Sequence, residues 1–321
     1  MLYLNEKDIT GAAGYDEIMD VIEEAYKIEG SKDYYMPPRM YVNQGENTIL
    51  YMPCFIEKAF GTKILTLFPG NAAQGKPVIE GVVLLNDLLT GTILAIFDGA
   101  KLTAMRTGAV GGVGIRHTAP KNAKNLGLIG AGVQGYHQVL FASQARPIKN
   151  ILLYDSNGEK REKTLKMLEE VLPHLDARVA EGPEEILQFA DIVITATPSE
   201  TPVLPDDPQL LAGKSYIGIG SYKPQMREFP ESLYSLVKNV FIDTVHGLEE
   251  SGDLITPLKK DWISRDQIVP FNEYLESKRN NYPQNETTLF KSVGMALFDI
   301  TVAELIYRKA LEKGIGQNII R

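Results

Sequence analysis

The chain has 321 residues, 44% hydrophobic and 23% charged, an ordinary balance for a folded protein and enough length for two domains with cores of their own. Thirty-three Lys and Arg against 41 Asp and Glu leave a formal charge of −8, which argues against a nucleic-acid partner, because neutralising phosphates requires a basic face. The single cysteine, Cys54, excludes an intramolecular disulfide and a thiolate zinc cluster, and the four histidines (His117, His137, His174, His246) fall far apart, so no metal is expected.

The helical spacing of Ile18, Val21, Ile22, Ala25 and Tyr26 predicts a helix over 15–29, with Gly30 as its stop. From Arg39 to Phe97 the pattern changes to short apolar runs, 48–52, 62–68, 81–85 and 92–97, separated by Gly, Pro and Asn clusters. These predict an antiparallel sheet, with a hairpin connection over 86–91 and a turn at Asp98-Gly99. A helix from Leu102 to Ile115 follows, crowded with Gly108, Ala109, Gly111, Gly112 and Gly114. Each Gly costs about 1 kcal/mol relative to Ala in a helix, so such a segment persists where another backbone or a ligand must come close. Its single charge is Arg106.

Beyond residue 124 the runs 125–129, 151–154, 191–195, 216–219 and 240–242, with a weak one at 178–179, alternate with helical stretches, of which Glu159–Leu172 is the clearest. Strands alternating with helices require crossover connections and a parallel sheet covered on both faces. That is the doubly wound pattern, here with about six strands. The tail, 286–313, reads as one long helix closed by Gly314 and is expected to pack back on the first domain. The expected fold class is therefore α/β, with a Rossmann-type doubly wound parallel sheet (119–295) inserted into an α+β domain with an antiparallel sheet (1–118 plus 296–321). The longest stretch without acidic or basic residues, 125–145, is broken by glycines and carries Gln134, His137 and Gln138. It is not a membrane span, and with no secretory pattern at the N-terminus the expectation is a soluble, cytoplasmic protein without a membrane partner.

Gly130-Ala131-Gly132-Val133-Gln134-Gly135 is a G-x-G-x-x-G between a predicted strand and a predicted helix, and a second strand ends at Asp155, twenty residues after Gly135. Gly130 suits the tight turn, Gly132 the approach of a pyrophosphate to the backbone, and Gly135 the close seating of the helix, whose N-terminus attracts the anion. Asp155 is placed to accept hydrogen bonds from ribose hydroxyls and to repel a 2′-phosphate, so NAD is favoured over NADP. The expected cofactor-binding set is Gly130, Gly132, Val133, Gln134, Gly135 and Asp155, with Thr107, Thr195, Ala196, Thr197 and Ser221. A methyltransferase using an adenosyl cofactor is the competing reading; the third glycine in register favours the dinucleotide.

Several segments together carry a resemblance: Met36-Pro37-Pro38-Arg39, Met52-Pro53, Gly61-Thr62-Lys63, Phe68-Pro69-Gly70-Asn71, Leu102 to Gly108, Gly130 to Gly135, Ala196 to Ser199 and Phe290 to Gly294. In this order they resemble the ornithine cyclodeaminase/mu-crystallin family over nearly the whole chain. The resemblance implies a homodimer, with the first domain providing dimer contact and substrate site, and hydride transfer between nicotinamide and the α-carbon of an amino or imino acid. It places Arg39 and Arg106 on the substrate carboxylate and Lys63 beside the reacting nitrogen.

The residue types suit those roles. A guanidinium grips a carboxylate by two parallel hydrogen bonds. A lysine in a strand near two arginines has a lowered pKa and can move a proton to or from nitrogen. The plain alternatives are a solvated loop arginine at 39, a snorkelling lysine at 63, and an Arg106 paired with an acidic residue in the core. Two departures separate the chain from the cyclodeaminase members. Leu50 stands where those carry a glutamate, and Tyr222, in Gly220-Ser221-Tyr222-Lys223-Pro224, stands where they carry an aspartate. Both carboxylates would handle a distal amine, and Tyr222 becomes a candidate substrate-binding residue. The leading expectation is an NAD(H)-dependent oxidoreductase on the C–N bond of an α-amino or α-imino acid, with catalytic Lys63, of amino-acid dehydrogenase or cyclic ketimine reductase type. Ornithine cyclodeamination and a non-catalytic, crystallin-like ligand-binding role are the alternatives.

Overall fold

A computed structural model of the chain describes residues 1–277 and 286–319. It consists of two compact units, Met1–Arg106 with Met295–Arg321, and Thr107–Gly294. The boundary falls inside a helix at 106/107 rather than at 118/119.

The first unit opens with β1 (Leu2–Leu4), α1 (Glu6–Ala12) and α2 (Tyr15–Ser31). Asn5 caps α1, accepting from the amides of Lys7 and Asp8, and the Asp8 carboxylate accepts from the Asn5 amide in return. Helix α2 runs through Gly30 and stops where Lys32 takes a left-handed conformation (φ 62°) and donates its amide to the Glu29 carbonyl. Then come β2 (Tyr34–Tyr35), β3 (Met40–Gln44), β4 (Asn47–Ile56), β5 (Ala59–Leu67), β6 (Ile79–Asp87) and β7 (Ile93–Asp98). Strands β3 to β7 pair in sequence and antiparallel, β2 also pairs β4, and β1 lies parallel to β7.

Because side chains alternate across a strand, register decides what meets on the inner face. One cross-strand row there reads Met52, Lys63, Val83 and Phe97. All four are buried. Lys63 is the charged member of an otherwise apolar row.

Helix α3 (Gly99–Thr118) carries the chain from the first unit into the second. Asp98 is the strand end and Gly99 already helical, so the expected turn there is instead a direct strand-to-helix passage, with the Lys101 amide donating to the Asp98 carboxylate at 2.7 Å. The small residues of α3 answer to close packing within the second unit: a Cβ on Gly108 would lie 2.5 Å from the Phe141 ring, and one on Gly114 2.7 Å from the Phe290 ring.

The second unit continues with β8 (Asn125–Ile129), α4 (Val133–Ala145), β9 (Asn150–Tyr154), α5 (Gly158–Val171), β10 (Asp176–Val179), α6 (Pro183–Phe189) and β11 (Ile192–Thr195). It then adds α7 (Pro208–Leu211), β12 (Ser215–Gly218), α8 (Glu231–Leu236), β13 (Val237–Ile242), α9 (Gly247–Glu250) and α10 (Gly252–Lys259). The last elements are β14 (Ile268–Pro270), α11 (Phe271–Glu276) and β15 (Thr287–Lys291). The strands form one parallel sheet of eight in the order β10-β9-β8-β11-β12-β15-β13-β14.

This corrects the expected long helix over 286–313. Thr287-Thr288-Leu289-Phe290-Lys291 is a fully buried strand between β12 and β13. Two β-branched residues and an aromatic suit that place, and Gly294, at φ 74°, breaks the chain before any helix begins. The true helix, α12 (Ala296–Lys313), belongs to the first unit, where it packs on α2, β4 and β5. It ends at Gly314 in the left-handed region, and β16 (Gln317–Asn318) follows, antiparallel to β1. Among the described residues no helix is long and apolar enough to cross a membrane.

Replacing Gly114 with Ala should lower stability, by about 1–3 kcal/mol of overpacking, although helix propensity alone predicts a gain of about 1 kcal/mol. Chemical denaturation reads the sign; a variant more stable than the wild type would refute the close-packing account of α3.

Candidate active site

Lys63 on β5 reaches α12, where its Nζ donates to Asp299 Oδ2 at 2.8 Å. The other oxygen of the same carboxylate, Oδ1, accepts from Arg106 Nε at 3.0 Å. Lys63 is 1% exposed, Asp299 0% and Arg106 6%. Three elements of the first unit thus bring two cations and one carboxylate together out of water. Burial lowers the Lys63 ammonium to about 8, helped by the charges of Arg106 and Arg39 and opposed by that of Asp299. The expected lowering is present, with burial rather than the two arginines as its first cause.

Arg106 uses Nε for Asp299, and the terminal pair of a guanidinium is the edge that grips a carboxylate by two parallel bonds. Arg39 is half-buried just before β3, close enough for its charge to act on Lys63. The core acid for Arg106 was an alternative in the sequence; the structure shows that acid also meeting Lys63. Asp299 is not among the residues expected from the sequence, although a lone carboxylate in Ala296-Leu297-Phe298-Asp299-Ile300-Thr301-Val302 is a signal, since a buried charge requires partners.

In the second unit the three motif glycines are needed for different reasons. Gly130 has φ +103°, and Gly135 approaches the Gly130 carbonyl so closely that a Cβ would lie 2.0 Å from its oxygen. Gly132, the residue before α4, meets nothing within 4 Å. Open space beside a helix N-terminus is what an approaching pyrophosphate requires. Gln134, in the first turn, has a buried Oε1 without a hydrogen-bond partner among the described residues, and Val133 beside it is exposed. The Asp155 carboxylate accepts from the amides of Ala131 and Asn157, both at 2.9 Å, which ties the end of β9 to the glycine loop. Each oxygen keeps a further lone pair for a ribose hydroxyl. The residues fit a bound dinucleotide.

Thr195 ends β11, fully buried, and the Ala196 amide extends the ladder to the Ile129 carbonyl at 2.9 Å. Thr197 donates its amide and hydroxyl to Glu228 at 2.7 and 2.9 Å, and the amides of Gly220 and Ser221 donate to the other Glu228 oxygen at 2.7 and 3.2 Å. One buried carboxylate therefore staples the loop after β11 to the loop after β12. The Ser221 hydroxyl bonds the Met226 carbonyl and the Ser251 hydroxyl, so it serves the loop's own shape. Tyr222, next on that loop, is 40% exposed with the Lys223 ammonium over its ring. The Thr107 carbonyl accepts from Gln138 Nε2 at 2.7 Å.

Behind the staple, Asp253 accepts from the Glu228 and Phe229 amides and faces Lys291 at 4.0 Å; burial holds its carboxyl above the ordinary range. Glu228, Asp253 and Lys291 carry no spacing signal in the sequence. They are read only from the loops they join.

The glycines separate fold from binding. Gly132→Ala should keep the wild-type stability within about 1 kcal/mol and weaken NADH binding about tenfold, or 1.4 kcal/mol. Gly135→Ala, blocked by backbone, should lose both. Fluorescence titration with NADH and thermal unfolding check the contrast; equal NADH affinity in Gly132→Ala would remove the pyrophosphate from that loop.

A family model described as the ornithine cyclodeaminase/mu-crystallin family matches residues 2–314. A Δ1-pyrroline-2-carboxylate reductase from Bacillus cereus is 36% identical over 281 residues, 85% of each chain. The solved structure of Thermococcus litoralis Δ1-pyrroline-2-carboxylate reductase, in complex with NADH and L-proline, superposes with a TM-score of 0.92 at 32% identity, covering 99% of this chain and 100% of that one. An archaeal alanine dehydrogenase dimer with bound NAD superposes at 0.89 with 27% identity, covering 100% and 99%. The match over residues 2–314 shows that the chain belongs to the ornithine cyclodeaminase/mu-crystallin family.

Proposed function

We propose that the protein is an NAD(H)-dependent oxidoreductase of the C–N bond that reduces a small α-imino acid to the α-amino acid, with Δ1-pyrroline-2-carboxylate, giving L-proline, as the leading substrate. The observation that carries this reading is the buried Lys63–Asp299–Arg106 cluster, in which a proton donor and a carboxylate grip share one counter-charge. The lining supports the substrate class. On the Lys63 face, one register step along, Leu50 pairs with Leu65, both half-buried. A hydrocarbon ring or short chain suits two leucines; the second ammonium of a diamino acid finds no carboxylate at Leu50 or Tyr222. The B. cereus and T. litoralis relatives are Δ1-pyrroline-2-carboxylate reductases by name.

The chemistry that a dinucleotide held by the glycine loop and Asp155 would supply is hydride transfer to or from the substrate α-carbon. Arg106, with Arg39, holds the substrate carboxylate and so fixes which atoms face Lys63. In reduction the Lys63 ammonium gives a proton to the imine nitrogen, so that C=N gains one hydride and one proton and becomes CH–NH. In oxidation neutral Lys63 takes the proton back. Tyr222 and the loop stapled by Glu228 complete the proposed binding set.

The assembly proposed is a homodimer through the outer face of the antiparallel sheet. Tyr35, Phe55 and Phe60 stand there in a cross-strand ladder, with ring centroids 6.1 and 4.8 Å apart, and Met40 and Val42 are exposed on the same face. An apolar face of that extent is characteristic of a protein–protein contact. Size-exclusion chromatography with light scattering should give twice the chain mass of 35.6 kDa; a monomer at micromolar concentration would reject this surface.

The assay is NADH consumption with Δ1-pyrroline-2-carboxylate, and NAD reduction with L-proline or L-alanine, with products identified. Lys63→Ala should lower kcat about 10²–10⁴-fold while NADH binding persists. Reduction uses the protonated amine, so its rate should fall as pH rises through about 8, and oxidation should rise through the same pH. Proline and ammonia from ornithine without net NADH change would instead establish cyclodeamination.

A further inference from the structure

We propose that Asp299 is the positioning residue of this site, one carboxylate that holds the Lys63 ammonium and the Arg106 guanidinium at a fixed separation and leaves the site short of one anion, which the substrate carboxylate provides. The inference rests on the oxidoreductase reading above and adds to it a residue that touches no substrate. Asp299 sits in the first turn of α12 and is 0% exposed, and its two oxygens are divided between two cations from two other elements, β5 and α3. A surface ion pair tolerates drift; a shared buried carboxylate does not, because movement of either partner leaves a charge unpaired out of water.

Charge counting gives the second half. Lys63 and Arg106 contribute two positive charges and Asp299 one negative, and Cys54, whose thiol also feels Asp299, is pushed up to about 12 by burial and stays neutral. Arg39 adds further positive potential at Lys63. An anion is therefore the ligand that relieves the cluster. An amide in place of the carboxylate would offer one acceptor where two cations need one each, and its NH2 would face the other cation.

The test separates this role from a structural one and from the function itself. Protein labelled with [13Cε]lysine, with the Lys63 resonance identified by its loss in Lys63→Met, is titrated by NMR without any substrate. The wild-type midpoint should lie at about 8, and in Asp299→Asn about one to three pH units lower, since a nearby opposite charge is worth that much. In the imine assay the alkaline limb of kcat/KM should move with the midpoint, and KM for the imino acid should rise about tenfold. A folded Asp299→Asn with an unmoved midpoint overturns the proposal even if activity drops.

If Asp299→Asn does not fold, Asp299→Glu carries the test. It keeps the charge and hence the midpoint, while its longer arm displaces both cations and raises KM. Wild-type KM and kcat in that variant overturn the positioning role. A wild-type protein that reduces no imine removes the functional reading but leaves the midpoint shift to decide the assignment of Asp299.

Discussion

Two cations share one carboxylate in the core of the first unit, and most of that unit can be understood as what is needed to keep them there. Lys63 must cross an apolar row of Met52, Val83 and Phe97 to be buried, which requires the register of four antiparallel strands. Arg106 must arrive on the helix that leaves the last of those strands, and Asp299 on a helix far along the chain. Close approach of α12 to the sheet has its own condition at Gly61, where a Cβ would strike the Leu84 carbonyl at 2.3 Å and Ile300 at 2.7 Å. Desolvation makes the cluster costly when any member of it is missing. The same low-dielectric setting gives Lys63 a proton affinity suited to transfer near neutral pH.

In the second unit the corresponding constraint is the exposure of backbone amides. A dinucleotide site presents amide groups to phosphate and sugar, so its loops must be held in shape by partners other than a strand ladder. The glycine loop is pinned by Asp155 and the following loops by Glu228, acidic groups that accept amide hydrogens rather than meet cations. Asp253 repeats the device on the backbone of Glu228 itself, with Lys291 from β15 as the nearby charge. The scheme is compatible with an anionic cofactor in an acidic protein: Glu228 and Asp253 are buried on backbone amides, and the N-terminus of α4 beside Gly132 is open.

Much of this was legible in the sequence because it depends on local patterns. The G-x-G-x-x-G and Asp155 are separated by one strand–helix–strand unit, and period-two and period-3.6 patterns locate β4 to β7 and α2. Lys63 and Arg106 are reached through the family resemblance, and each is also a charge in an apolar segment. What could not be read depends on contacts far apart in sequence. Asp299 lies 236 residues from Lys63 and 193 from Arg106, and nothing near it announces either partner. Strand β15 reads as helix in the sequence because five buried residues on a central parallel strand have no alternation, and the helix beyond lends them its period. Glu228 looks like a solvent-facing residue in a Pro-rich loop until the two loops it joins are seen.

That β15 and α12 follow the elements they complete has a consequence for how the protein folds. Strand β15 enters the parallel sheet between β12 and β13, and α12 supplies the carboxylate of the first unit. Neither unit can close its core while the segment beyond residue 286 is still being synthesised, even though both began to emerge long before. Until then the chain carries a parallel sheet with a gap in its middle and a Lys63 without its carboxylate. Long-range pairing of this kind is slow, and it exposes strand edges to misassembly meanwhile. Residues 287–313 thus close both units, one by a central strand and the other by a carboxylate, so their loss would open two cores at once.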